Sequence, residues 1–106
     1  LASAASSETA ALLGLNSEVA RCRWEGAAVM SRSSQRSAEA IKALDAVLGD
    51  WVEFVRWQAA QALAAQEPER VLPTLTKSLA DEDARRRAGA AEALGLLGRD
   101  PLGWPW

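Results

Sequence analysis

The sequence predicts an all-α fold, a short α-solenoid of about three helix–turn–helix units. Three observations lead there. First, one segment is written nearly three times. Val55-Arg56-Trp57-Gln58-Ala59-Ala60-Gln61-Ala62-Leu63 returns 31 residues later as Arg86-Arg87-Ala88-Gly89-Ala90-Ala91-Glu92-Ala93-Leu94, and a looser copy, Cys22 to Met30, stands 33 residues upstream. Repeats of this length mark units that stack because none buries its apolar face alone. Second, apolar residues recur at helical spacing. Third, strand signals are missing, with no alternating runs and no Asn-Gly hairpin.

Each element has a local reason. Glu8 to Leu15 is a short first helix. Ser17 caps a second that runs to about Ser31. Ser37 caps a third, whose Ile41, Leu44, Val47 and Leu48 fall on one face. Asp50 followed by Glu53 is a capping-box variant that opens a fourth helix to about Ala65. Pro68 suits the first turn of a fifth, carrying Val71, Leu72, Leu75 and Leu79. Asp81 or Asp83 starts the sixth, and Gly98 ends it. The predicted domain covers 1–98, with units at about 8–33, 34–66 and 67–98. A Trp/Pro-rich tail, 99–106, breaks the pattern with Pro101, Gly103 and Pro105.

The 106 residues suffice for one small domain, near the minimum for a stacked array. Net charge is −2, which argues against nucleic-acid binding as the main task. Cys22 is the lone cysteine, so an internal disulfide is excluded and a reducing compartment is expected. No apolar run is long enough to span a bilayer. The small, uncharged start, Leu1 to Ser7, reads as a processed end or a cut boundary.

The residues resemble HEAT repeats, specifically the short type of phycobilisome-lyase-like proteins. Asp50, Val55, Arg56, Ala59, Ala60, Ala62 and Leu63 carry the match best. Asp81, Arg87, Ala90, Ala91, Ala93, Leu94 and Gly95 follow, with Arg86 in place of Val. Pro73 sits inside the first helix of its pair, as such units often have it. The first copy is degenerate, with Ser17 for Asp and Gly26 for Ala. The resemblance implies a structural ladder in which Asp50, Arg56, Asp81 and Arg87, extended by Arg23, tie turns to neighbouring repeats. It also implies that the outward face of each second helix lines a concave surface.

Histidine is absent, which removes Ser–His and Cys–His pairs and His-based metal sites. Carboxylates are dispersed, and no phosphate loop is present. No catalytic residue, cofactor or metal is therefore expected. Trp24 and Trp57 occupy equivalent positions. At about 100° per residue, Trp57 lies almost opposite the arc of Val55, Ala59, Ala62 and Leu63, beside Ala60, Gln61 and Ala64. Trp24 and Trp57 are expected as neighbouring aromatics in an alanine-floored groove continued by Glu92. Either a partner or a terminal segment of the chain covers them. Leu102, Trp104 and Trp106 alternate in the tail, and either cover the open end of the solenoid or dock into a partner.

The expected function is a non-catalytic protein–protein interaction module or scaffold subunit, with protein partners and neither nucleic acid nor a membrane span. Two rivals are kept: from the resemblance, a bilin lyase or chromophore-handling protein, and from the processed-looking start and the Trp tail, an accessory subunit of an organellar or photosynthetic membrane complex.

Overall fold

The computed structural model describes residues 4–98. The expectations for the tail, including Leu102, Trp104 and Trp106, fall outside the described residues. Six helices follow one another: α1 (Ala4–Leu15), α2 (Ala20–Met30), α3 (Ala38–Val47), α4 (Glu53–Ala64), α5 (Pro68–Ser78) and α6 (Ala84–Leu97). No strand occurs among the described residues.

The helices pair in sequence order, α1 with α2, α3 with α4 and α5 with α6, and the pairs stack. α1, α3 and α5 form one layer; α2, α4 and α6 form the other. Successive pairs meet most closely through the second layer, where α4 packs on both α2 and α6, while α1, α3 and α5 are splayed. The alanines of the repeated segment cause this asymmetry. Ala59, Ala60, Ala62, Ala90 and Ala93 are all fully buried, and their small side chains let the second-layer helices approach. Leu44, Leu48, Val55, Leu63, Val71 and Leu75 fill the space between the layers.

A single device recurs at the turn inside each pair. The side chains of Ser17, Asp50 and Asp81 accept the backbone N–H two residues on, at 3.0, 2.9 and 2.8 Å. Six residues further along, Arg23, Arg56 and Arg87 each donate Nη1 to the carbonyl of that same residue, at 3.0, 2.7 and 2.7 Å. Ser17 therefore does the turn work of the aspartates, although the first unit departs in sequence. Two helix caps differ from the predicted ones, each by two residues. Val19, not Ser17, is the N-cap of α2. Val52, not Asp50, is the N-cap of α4, and Glu53 does not close a capping box. Ser37 caps α3 by accepting the Ala40 N–H, and Asp83 caps α6 by accepting the Arg85 N–H. That N–H, then the Arg85 side chain, holds the Asp83 carboxyl below its ordinary value. Pro68 opens α5 at N1, and Pro73 lies inside it with its ring exposed.

The polar loop 31–37 is longer than its counterpart and hides a buried arginine. Arg36 is 6% exposed and donates Nε and Nη2 to the last carbonyls of α2, Met30 at 3.0 Å and Val29 at 2.8 Å. A cation is favoured at that negative helix end. Gln66, also buried, accepts the Arg36 N–H and donates to Ser33 O, stitching the loop to the next unit.

α1 reaches the second unit through one carboxylate. Glu8 accepts the Ser37 N–H at 3.1 Å and the Ser37 hydroxyl at 2.6 Å. The hydroxyl bond is the main reason its carboxyl is held below its ordinary value; burial opposes this, and the backbone bond, Arg36 and Arg70 assist. A carboxyl lowered by folding stabilises the protein above its unfolded pKa, and the benefit is lost as pH falls through the folded value. Glu8→Gln is therefore expected to lower the thermal midpoint at neutral pH. The gap to the wild type is expected to close below pH of about 4. A constant gap across that range would show that the carboxylate charge is not what Ser37 holds.

Candidate functional site

The alanine-rich face that lets α4 pack between α2 and α6 also governs which α4 residues stay outside. Val55, Ala59, Ala60, Ala62 and Leu63 are all buried. The buried arc is thus wider than the one read from periodicity, and Ala60, expected on the groove floor, belongs to the core. The reason is position: a central helix in a layer has neighbours on both flanks as well as behind. Gln61 and Ala64 stay half-buried, and Trp57 is 49% exposed.

Trp57 forms one wall of a depression between α4 and α6 of about 380 Å³, shared with Gln61, Glu92, Gly95 and Leu96. A smaller hollow continues it past Trp57 and Glu92 towards Glu53 and Arg56. Trp57 and Glu92 stand where both hollows meet, so the structure brings these two expected residues together. Trp24 behaves differently. It is half-buried and packs against the hydrophobic core. The expected pair of equivalent groove aromatics is corrected to one exposed ring and one that supports the core. α2 gives the core Gly26, Ala27 and Met30 as buried residues, and the half-buried Trp24 ring adds apolar surface beside them.

The sequence reading missed two further aromatics. Trp51 is 82% exposed and Phe54 51% exposed, just before Trp57 in steps of three. The Arg85 guanidinium lies over the Trp51 ring, 3.7 Å from its centre, so the start of α6 meets the start of α4 by a cation–π contact. The signal was available in the spacing of the three rings, but only Trp57 lies within the repeated segment.

The expected ladder is corrected as well. Arg56 and Arg87 bond only carbonyls of their own turns, Asp50 and Trp51 for one, Asp81 and Glu82 for the other. Arg23 alone crosses to the next unit. Its Nε meets Asp50 Oδ2 at 2.6 Å and its Nη2 meets Asp50 Oδ1 at 3.1 Å, with both side chains largely buried. Arg86 explains why Arg56 has no equivalent partner. It stands at the position of Val55, lies 3.8 Å from the free carboxylate oxygen of Asp81, and also bonds Asp45. Asp45 sits on the apolar face of α3 at 6% exposure, and its other oxygen accepts the Ser78 hydroxyl at 2.6 Å. The second seam is therefore closed by Asp45, Ser78 and Arg86.

No group of three or more potential metal-ligating side chains occurs among the described residues, and no described helix is long and apolar enough to cross a membrane. Cys22 is exposed beside the α1–α2 hollow. A family model for HEAT repeats matches residues 10–95. No curated protein matches the chain.

Proposed function

We propose, because this chain belongs to the HEAT-repeat family, that it is a non-catalytic protein-interaction module or scaffold subunit that binds through the α4–α6 face. Repeats of this family commonly mediate protein–protein contacts, and the fold is generally non-catalytic. The observation that carries the choice of face is Trp57. A large ring left half in water, walling a hollow with a carboxylate across from it, is the kind of anchor that interfaces favour. In this reading the units are 8–33, 34–66 and 67–98, and Trp57, Gln61, Ala64 and Glu92 form the contact strip. The finer placement, in the phycobilisome-lyase-like type, rests on the Asp50 to Leu63 segment. A change in visible absorbance on mixing with bilin and an apo-phycobiliprotein would favour it over the scaffold reading.

The test begins with co-purification from the native source, and then measures the identified partner against variants. Trp57→Ala is expected to weaken binding by about 2 kcal/mol and leave the thermal midpoint nearly unchanged. Glu92→Ala is expected to cost much less. Undiminished affinity for Trp57→Ala would remove the α4–α6 face as the binding surface.

A further inference from the structure

The splay of the first layer opens a second concavity, on the opposite side of the molecule from Trp57. It lies between α3 and α5, measures about 670 Å³, and is walled at one end by Arg86 of α6. The chain contains two lysines, Lys42 and Lys77, and both line this groove, one from each helix. Both are exposed, and neither makes a hydrogen bond or ion pair with another described residue. Arg70 and Arg86 add two more cations to the lining, against Asp45 and Asp81. Four cations less two carboxylates leave +2 in the groove of a chain whose net charge is −2. Asp45 offers the lysines little, because Ser78 and Arg86 already occupy both of its oxygens. Ala38 and Ile41 add apolar side chains to the lining.

We propose that the α3–α5 groove is a docking site for an acidic peptide segment of a partner protein, with Lys42 and Lys77 as its charged anchors. Charge complementarity carries the choice of occupant. Unpaired ammonium groups on both walls favour carboxylates placed along a segment, with a small apolar side chain between them. A long polyanion is a poorer match, since beyond a Debye length it meets the net negative charge of the whole chain. The site is independent of the Trp57 face, so either proposal can fail alone.

The test is fluorescence anisotropy of a labelled glutamate-rich peptide with a central leucine, at an ionic strength of about 50 mM. The wild type is expected to bind saturably. Lys42→Glu combined with Lys77→Glu is expected to weaken binding roughly tenfold or more. The control, Arg21→Glu with Arg32→Glu, makes the same charge change outside the groove and is expected to stay within about twofold, since it alters only the long-range field. Trp57→Ala is expected to bind as the wild type does. Bound peptide is expected to protect Lys42 and Lys77 from amine acetylation, read by mass spectrometry on the folded protein. Absence of saturable binding, an equal loss in the control, unprotected lysines, or tighter binding of a single-stranded oligonucleotide of matched charge would each overturn the proposal. Circular dichroism of both double variants ensures that folded proteins are compared.

Discussion

Asp50→Ala is expected to destabilise the protein by about 3 kcal/mol. Three facts combine. The carboxylate holds the Arg23 guanidinium through two bonds, both partners are mostly out of water, and the same carboxylate accepts the Val52 N–H that shapes the turn before α4. Removing it leaves a largely buried cation whose remaining bond is to the Ser17 carbonyl. Arg56→Ala breaks only bonds to carbonyls that lie near water, and is expected to cost about 1 kcal/mol. Urea unfolding of the two variants decides. Equal midpoints would mean that the Arg23–Asp50 pair contributes nothing beyond an ordinary turn contact.

Gly26→Ala is the second large effect, and its sign is opposite to that of the same change at Gly95. A Cβ at Gly26 would lie 2.6 Å from the Ala11 carbonyl oxygen and 3.0 Å from the Leu15 nitrogen, both backbone atoms of α1. Rigid backbone has to move, so α1 is pushed off α2, at a cost of about 1–3 kcal/mol. At Gly95 a Cβ meets nothing within 4 Å. There the intrinsic helix preference of alanine prevails and stabilises by up to about 1 kcal/mol. Thermal midpoints that move in the same direction for both variants would contradict the close α1–α2 crossing. The crossing also explains the degenerate first copy: glycine stands where the other units have alanine because α1 passes directly over it.

What was legible in the sequence was local. Ser37, Pro68 and Asp83 act on atoms within a few residues, so the helix starts could be read from them to within a residue or two. The helix pairs followed from the repeat. The seams between pairs were not legible, because their partners lie far apart in sequence. Glu8 meets Ser37, Arg23 meets Asp50 and Asp45 meets Arg86 only after whole helices have docked. Two clues to the second seam were present: Asp45 four residues after Ile41 on an apolar face, and arginine at the valine position of the repeat. Each looks like an exception alone, and they explain one another only in space. The candidate face was half legible. Angular position identified Trp57 correctly as outward-facing, but one helix considered alone does not reveal flanking neighbours, which is why Ala60 was misplaced and Trp24 proved half-buried.

The turn device is the same in all three units, whereas each seam is closed by different side chains. Each unit thus carries a generic part and a part fitted to a single neighbour. The linear order of the units is consequently written into the molecule, much as keyed blocks fit in one sequence only. Exchanging the second and third units, or duplicating the third, would place Arg86 opposite a neighbour without its aspartate, and the exchange would also leave Asp45 without a following unit. An array extended by copying would need its keys recut at every new joint.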